Sequence, residues 1–236
     1  MRGTVHRSHA ASRGLAAAGL LVSSPVLAIA GLVIKLSSPG PVLFRAARVG
    51  VDGRPFTMYK LRTMHQPVAV GGARITGGRD SRVFRSGRWL RRAKIDELPQ
   101  LLNVVLGDMA IVGPRPEDPS IVSDHYTDFM RGSLSVLPGL TSPGSLTYYA
   151  DEVQLPGDPE EAERLYLEQL LPRKVALDVL YIQHRSWRYD LEIIVRTVAA
   201  MLGFHQLFVG HQQWEWTEAE TLLSGHGSVP VPGAAT

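Results

Sequence analysis

Cysteine is absent from this chain of 236 residues. Disulfides, zinc-thiolate centres and cysteine nucleophiles are therefore excluded, and the absence agrees with a reducing compartment. Other familiar signatures are missing too. No GxxxxGK phosphate loop, HExxH zinc motif, GxSxG elbow or Cys/His metal spacing occurs. There is no internal repeat. Charge is missing from one long stretch, Gly14 to Ile34, which reads GLAAAGLLVSSPVLAIAGLVI.

The length suits one domain, or one domain with an appendage, and can bury a proper core. Lys and Arg number 25 against 22 Asp and Glu, giving a formal charge of +3 and a pI near 9.3. So small a basic excess admits anionic lipid, nucleotide or nucleic acid and selects none of them.

At about 1.5 Å rise per residue, a helix over 14–34 is long enough to cross a hydrocarbon core. A cleaved signal peptide fits poorly. The apolar run is long, and KLSSPGPVLFRAARVG after it offers no clear small-x-small cleavage site. A straight transmembrane helix meets two objections. Pro25 follows Ser23 and Ser24 mid-run, and proline removes a backbone hydrogen bond and bends a helix. A nearby serine hydroxyl can satisfy the freed carbonyl. Both flanks are also cationic, with Arg2, Arg7 and Arg13 before and Lys35, Arg45 and Arg48 after. Positive flanks favour the cytoplasmic side. Both facts are met if the segment dips in, bends at Ser24-Pro25 and returns, so the expectation is a re-entrant membrane helix.

Residues 41–64 read as a hairpin turning at Asp52-Gly53. Two-residue alternation in its second run puts Phe56, Met58, Lys60, Arg62 and Met64 on one face. Residues 65–78 are rich in glycine and small residues and read as a loop. Arginines then recur at 79, 82, 85, 88 and 91, with Arg92 adjacent. Helical spacing would gather them on one broad face, which suits either solvent or lipid headgroups and phosphates.

KIDELPQLLNVV, residues 94–105, reads as a helix start. Asp96 can cap, Pro99 is tolerable in the first turn, and Leu98, Leu101, Leu102 and Val105 form an apolar stripe. GDMAIVGPRPEDP breaks that pattern and fixes Arg115 between two prolines. LPGLTSPGSLTYY is turn-rich, and 151–164 is acidic. Helical patterns fill 165–203, with a bend or stop at Pro172. The last pattern places Leu191, Ile194, Val195, Val198 and Leu202 on one side, for core packing or for a membrane interface. SGHGSVPVPGAAT at the end reads as a disordered tail.

The chemistry in these residues is a carboxylate pair, Asp96 and Glu97, with Lys60, Arg62, Arg91 and Arg115 around it in sequence. Such a pair can cap a helix, or hold Mg²⁺ together with substrate phosphates. An acid can also attack phosphorus to form an acyl-phosphate. Phosphoryl transfer at a membrane surface is thus permitted, and a simple cap remains the alternative.

The blocks SSPGPVLFRAARVGVDGRPFTMYKLRTM, LRRAKIDELPQLLNVVLGDMAIVGPRP, LPGLTSPGSLTY and DLEIIVRTVAAML resemble the bacterial sugar transferases called small monotopic phosphoglycosyl transferases, or polyprenyl-phosphate hexose-1-phosphate transferases. The resemblance covers about residues 12–203, and the middle block is its most specific part. It implies an α+β, mainly helical fold. An N-terminal segment with a re-entrant membrane helix (1–38) would precede a small cytoplasmic catalytic domain containing a β-hairpin (39–205) and a C-terminal tail with a disordered end (206–236). It implies transfer of a sugar-1-phosphate from a nucleotide-sugar donor, usually UDP-linked, to a polyprenyl phosphate, which would start glycan or glycoconjugate assembly.

By the same resemblance Asp96 is the nucleophile and Glu97 its partner. Arg115 is the phosphate-binding arginine, Lys60 and Arg91 are further basic substrate contacts, and Mg²⁺ is the cofactor, with Asp96 as first-choice ligand; Arg62, on the strand face of Lys60, is added as a further candidate contact from the alternation. Membrane lipid is an expected partner and nucleic acid is not. A homo-oligomer is left open. The expected location is the bacterial inner membrane with the catalytic domain facing the cytoplasm. The match is to the minimal catalytic form, without the N-terminal spans of larger relatives. Three departures from the family pattern occur, at Phe44-Arg45-Ala46, Arg62-Thr63-Met64 and Thr141-Ser142-Pro143. The last falls where the donor is discriminated, so the sugar stays open. Two rival functions are a lipid- or nucleic-acid-binding adaptor, which would not need Asp96, and a membrane phosphohydrolase with water as acceptor.

Overall fold

The computed structural model describes residues 2–65, 80–151, 155–156, 158–202, 204 and 213–225. The loop expected over 65–78, all but His65, lies outside the described residues, as do Arg79 and the tail after Gly225. The fold is α+β and mainly helical, with a small hairpin sheet and one long N-terminal apolar helix.

That helix, α1 (Arg2–Ser37), holds Pro25 inside it. Proline cannot donate to the carbonyl four residues back. Here that carbonyl belongs to Leu21, and the Ser24 hydroxyl donates to it at 2.7 Å, while Ser23 donates to Leu20 at 3.2 Å. Residues Ala10–Ser37 are long and apolar enough to cross a membrane by length and composition. One face of α1 packs on the rest of the protein at both ends. Ala16 sits with Met58, Val104 and Met109, and Ala30 and Ile34 sit with Leu61, Phe84 and Leu90. The opposite face leaves Leu21, Val22, Ile29, Leu32 and Leu36 exposed.

The hairpin pairs β1 (Leu43–Val49) with β2 (Pro55–Leu61) in antiparallel register, Phe44 opposite Lys60. Its turn puts Asp52 and Gly53 at positive φ, 56° and 75°, a conformation suited to Asp-Gly. After α2 (Arg85–Arg92) and α3 (Gln100–Leu106), buried Asn103 ties α3 to β2. Its Oδ1 accepts from Tyr59 N–H at 3.1 Å, and its Nδ2 donates to the Thr57 carbonyl at 2.7 Å. Arg13 of α1 caps the other end of α3, its Nε donating to the Val105 carbonyl at 2.7 Å. The expected arginine helix is shorter than its spacing implies. Arg82 lies before α2 and pairs with Asp80 at 2.6 Å. On α2, Gly87 and Leu90 are buried, and Arg85, Arg88, Trp89 and Arg92 face outward.

A second sheet was not legible in the sequence. Strands β3 (Ala110–Val112) and β4 (Gly139–Thr141) pair in parallel, with α4 (Pro119–His125) and α5 (Asp128–Arg131) between them in the chain. The backbones meet closely. A Cβ on Gly139 would stand 2.2 Å from Gly113 N, so only glycine serves there.

The remaining helices are α6 (Pro143–Asp151), α7 (Pro159–Leu165), α8 (Leu171–His184), α9 (Trp187–Met201) and α10 (Gln213–Gly225). Pro172 does mark a change in the helical pattern. It falls at the second residue of α8, directly after one wide turn over Tyr166–Leu170 through which the helix runs on from α7. Helix α8 is the central post, with Leu171, Val175, Ala176, Leu177, Leu180 and Tyr181 all buried.

The apolar stripe read on the last pattern is a core face only at Ile194, which packs half-buried against the cluster of Tyr181, Tyr189 and Ile193. Leu191, Val195, Val198 and Leu202 are exposed, and α9 packs through Tyr189, Ile193 and Arg196 instead. The reason is a buried ion pair. Arg196 donates to both oxygens of Glu215 on α10, at 2.6 and 2.9 Å, and the Tyr189 hydroxyl donates to the same carboxylate at 2.6 Å. This pair, with Ala219 against Ala176 and Leu177, seats α10 on the core. Removing one partner of a buried pair strands the other. Glu215→Ala should therefore destabilise the protein by about 3 kcal/mol, whereas Arg196→Met with Glu215→Leu should recover most of that loss. Thermal melts in detergent check both, and an unchanged melt for Glu215→Ala would refute the assignment.

Candidate active site

The stretch KIDELPQ does not begin a helix at Asp96. Helix α2 ends at Arg92, and Lys94 takes a left-handed backbone, φ 54° and ψ 18°. For a residue with a Cβ that conformation costs roughly 1 kcal/mol. Ile95–Glu97 then make one tight turn, and α3 begins only at Gln100. Asp96 forms no side-chain cap. The strained Lys94 instead reverses the chain between α2 and α3, and leaves Asp96 buried with only 7% exposure. Its Oδ1 has no hydrogen-bond partner.

Glu97 is placed differently. Arg115 donates to it from Nη2 at 2.7 Å and from Nη1 at 3.3 Å, and Lys60 Nζ lies 3.4 Å from Oε1. Three separate elements thus converge: Lys60 from β2, Glu97 from the turn before α3, and Arg115 from the loop after β3. All three side chains are largely removed from water, at 21%, 15% and 14% exposure.

Environment drives the two adjacent acids apart. Burial pushes the Asp96 carboxyl up to about 6, and the neighbouring Glu97 charge adds to this, while Lys60, Arg91 and Lys94 pull it back. Burial would also raise Glu97, but Arg115, Lys60 and Lys94 hold it well below the ordinary carboxylate range. Burial lowers the Lys60 ammonium despite Glu97. The pair therefore comprises one acid locked as a carboxylate by cations and a second, dehydrated acid still mostly ionised at neutral pH.

Of the residues expected in the site, Lys60 and Arg115 both reach Glu97, and Arg91 acts on Asp96 through its charge. Arg62 does not join them. It follows the end of β2 and is 3% exposed, donating to the Pro41 carbonyl at 2.6 Å, to Ser38 Oγ at 2.8 Å and to the Ser38 carbonyl at 2.7 Å. Alternation along the strand put Arg62 beside Lys60. The strand stops at Leu61, and Arg62 clamps the exit of α1 to the hairpin.

Gln100 had no assigned role in the sequence reading. It is fully buried, and neither its amide oxygen nor its nitrogen has a partner. Three of the four orphaned buried side-chain atoms among the described residues belong to Asp96 and Gln100. Unpaired buried polar atoms are costly and concentrate where a ligand completes them. The signal in the sequence was the Pro99-Gln100 pair within the IDELPQ block, four residues after Asp96.

A metal has limited protein help here. Among the described residues no three His, Cys, Asp or Glu side chains gather as a potential metal site. Glu97 is occupied by cations, whereas the open Oδ1 of Asp96 is an available hard oxygen ligand. That suits an ion that takes one or two carboxylates and completes its shell with substrate phosphates and water.

An acid isolated from water thus stands beside a cation-locked acid and a fixed arginine, an arrangement chemically able to handle phosphate. Residues 7–204 match the bacterial sugar transferase family, and the chain belongs to it as an enzyme of the phosphoglycosyl transferase class. It is 43% identical over 192 residues to a UDP-glucose:undecaprenyl-phosphate glucose-1-phosphate transferase of Caulobacter vibrioides, covering 79% of this chain and 67% of that protein. It is 36% identical to an Escherichia coli protein of the same description, over 76% of this chain and 36% of the relative. A UDP-N-acetylgalactosamine-undecaprenyl-phosphate N-acetylgalactosaminephosphotransferase of Aeromonas hydrophila is 35% identical over 77% of this chain and 40% of its own length. The chain thus spans less than half of the latter two.

The lowered Glu97 carboxyl has a consequence for stability. Its contribution is complete above its ordinary value of 4.5 and is lost as the pH falls through the lowered folded value. Glu97→Gln should melt below the unmodified chain near neutral pH, with a gap that narrows as the pH drops below 4.5. Paired melting curves across that range check this, and a gap independent of pH would contradict it.

Proposed function

We propose that this protein transfers a sugar-1-phosphate from a UDP-sugar to a polyprenyl phosphate through a covalent phosphosugar–Asp96 intermediate, as the first step of glycan or glycoconjugate assembly. The single observation that carries the mechanism is the buried Asp96 carboxylate with an unpaired oxygen, set beside an acid that two cations hold ionised. A nucleophile needs a free lone pair and little water around it, and Asp96 has both. The relatives' names supply the donor and acceptor classes.

In the first half-reaction an Asp96 oxygen attacks the β-phosphorus of the donor. The bond from that phosphorus to the bridging oxygen breaks, and UMP leaves with the bond's electrons. In the second half, an oxygen of the polyprenyl phosphate attacks the same phosphorus. The bond to Asp96 breaks, the carboxylate is restored, and polyprenyl-diphosphate-sugar departs. Arg115 and Lys60 lie where phosphate oxygens can displace or share their contacts with Glu97, and Arg91 adds positive charge near Asp96. Glu97, freed of a cation, can take the acceptor's proton. The Gln100 amide supplies a donor and an acceptor for the bound substrate. Mg²⁺, held by Asp96 and the donor phosphates, would neutralise diphosphate charge.

The same reading includes an inner-membrane enzyme with its catalytic domain in the cytoplasm and α1 as a re-entrant helix. Both ends of α1 pack on one and the same domain, and the Ser24 hydroxyl eases the proline break. Next to α1 lie the outward Arg85, Arg88, Trp89 and Arg92 of α2, a composition suited to anionic headgroups. The exposed stripe of α9 provides a further apolar face. An open groove of about 410 Å³ at Pro41, Leu43, Phe44 and Arg45 adjoins Lys60 across the hairpin, and suits the isoprenoid chain of the acceptor.

The test is an assay of the full chain in detergent with UDP-glucose or UDP-N-acetylgalactosamine, polyprenyl phosphate and Mg²⁺, following UMP. Asp96→Asn should reduce turnover by about a thousandfold or more, because an amide cannot form the acyl-phosphate. Mass spectrometry of the unmodified chain with donor alone should find a phosphosugar adduct on Asp96. Substantial activity in Asp96→Asn would remove it as the nucleophile. Donor hydrolysis to free sugar phosphate without acceptor would favour a phosphohydrolase. For the helix, the native absence of cysteine permits single labels. Val5→Cys and Arg54→Cys should both react from the cytoplasmic side, and labelling from opposite sides would rule out re-entry.

A further inference from the structure

Asp178 stands in the middle of α8 with 2% exposure, outside the group of Asp96, Glu97, Lys60 and Arg115. Its two carboxylate oxygens go to two different segments, the loop after β3 and the first turn of α6. Oδ2 accepts the backbone N–H of Arg115 at 3.3 Å, and Oδ1 accepts the backbone N–H of Gly144 at 3.2 Å. The Arg115 contact has a particular value. Pro114 and Pro116 carry no N–H, so Arg115 supplies the sole backbone donor of the Pro-Arg-Pro segment, and Asp178 takes it. At the other end the chain comes unusually close. A Cβ on Gly144 would lie 2.7 Å from Asp178 Oδ1 and 2.4 Å from the Lys174 carbonyl oxygen. Glycine is what allows the start of α6 to reach the carboxylate.

One turn earlier on α8, buried Lys174 donates to Glu117, which closes the same loop from its other side. The Pro-Arg-Pro segment is therefore suspended from α8 at two points while the Arg115 guanidinium projects to Glu97 at 2.7 Å. Burying Asp178 is expensive, for burial pushes its carboxyl up to about 6, with Lys174 pulling the other way. An apolar residue would fill an ordinary core position at lower cost.

We infer that Asp178 is a positioning residue for the transfer reaction: by holding the Arg115 backbone and the Gly144 turn in one carboxylate, it sets the Arg115 guanidinium at the distance from Glu97 and Asp96 that binding of the donor diphosphate requires. Nothing in this role has Asp178 touch the substrate. The inference rests on the transferase reading proposed above, and it predicts that Asp178 matters only through Arg115.

The experiment is a double-mutant cycle on the full chain in detergent, with Asp178→Asn, Arg115→Ala and the pair. UMP release is measured against donor concentration and, separately, against polyprenyl phosphate concentration. Asp178→Asn should lower kcat/KM for the donor by about 10–100-fold, the usual cost of losing a residue that orients a contact group. KM for polyprenyl phosphate should be unchanged. In the Arg115→Ala background the same substitution should change donor kcat/KM by less than about threefold, since the group it positions is already gone. Glu215→Gln serves as the comparison for lost stability alone, with a lowered melt and an unchanged donor KM. Asp178→Glu, which keeps the charge and displaces it, enters the same cycle and covers failure of the asparagine variant to fold. Equal fold-losses in both backgrounds, or no loss in the first, would overturn the inference. Absence of UMP release by the unmodified chain would count against the transferase reading instead. The same four proteins would then be compared by calorimetric titration with UDP-glucose, where the cycle reads donor affinity directly.

Discussion

Glu97 held between Arg115 and Lys60 is the contact on which the rest of the site depends. The three groups come from a strand, a strained turn and a proline-bounded loop, so their meeting is a tertiary event. Once Arg115 and Lys60 have fixed Glu97 as a carboxylate, Asp96 beside it is left with burial and a like charge, and both raise its carboxyl. The two acids acquire different properties from one arrangement of cations.

Buried charge organises the frame as well as the site. Lys174 holds Glu117, Asp178 holds the Arg115 backbone, Arg196 holds Glu215, and Arg62 holds the exit of α1. Each would be costly alone in a low-dielectric interior, and each is matched by partners of opposite charge or by backbone groups. The hydrophobic core supplies bulk attraction without direction. These polar contacts supply direction, and they tie together segments far apart in the chain. Among the described residues the buried side-chain atoms left without a partner are one on Arg196 and three on Asp96 and Gln100, the latter in one short stretch.

The long helix α1 belongs to this frame. It is not an anchor attached to a separate body, because Arg13 caps α3 and Ala30 and Ile34 enter the core beneath the hairpin. Its outer face is apolar and its inner face is part of the catalytic domain. An apolar outer face and a packed inner face thus belong to one helix.

Much of this was legible in the residues in order. The hairpin with its Asp-Gly turn, the helical C-terminal half, the change of helix near Pro172 and the serine beside Pro25 all follow from local rules. Local rules depend on backbone preferences over a few residues, and those act before any tertiary contact exists. The family blocks marked Asp96, Glu97 and Arg115, because chemistry of this kind constrains residue types at fixed spacing.

What the chain order could not decide was which side chains meet. Alternation assigned Arg62 to the face of Lys60, yet the strand ends one residue earlier and Arg62 turns to Ser38. Periodicity made Leu191, Val195, Val198 and Leu202 a common face without saying whether it lies inside, and the Arg196–Glu215 pair turned it outward. Asp96 looked like a helix cap until Lys94 reversed the chain before it. The short parallel strands, 27 residues apart in sequence from Val112 to Gly139, were invisible for the same reason. Composition and periodicity determine which elements form and which chemistry is available. Only the folded chain decides exposure and partnership, because burial and charge pairing are set by neighbours that lie far away in sequence.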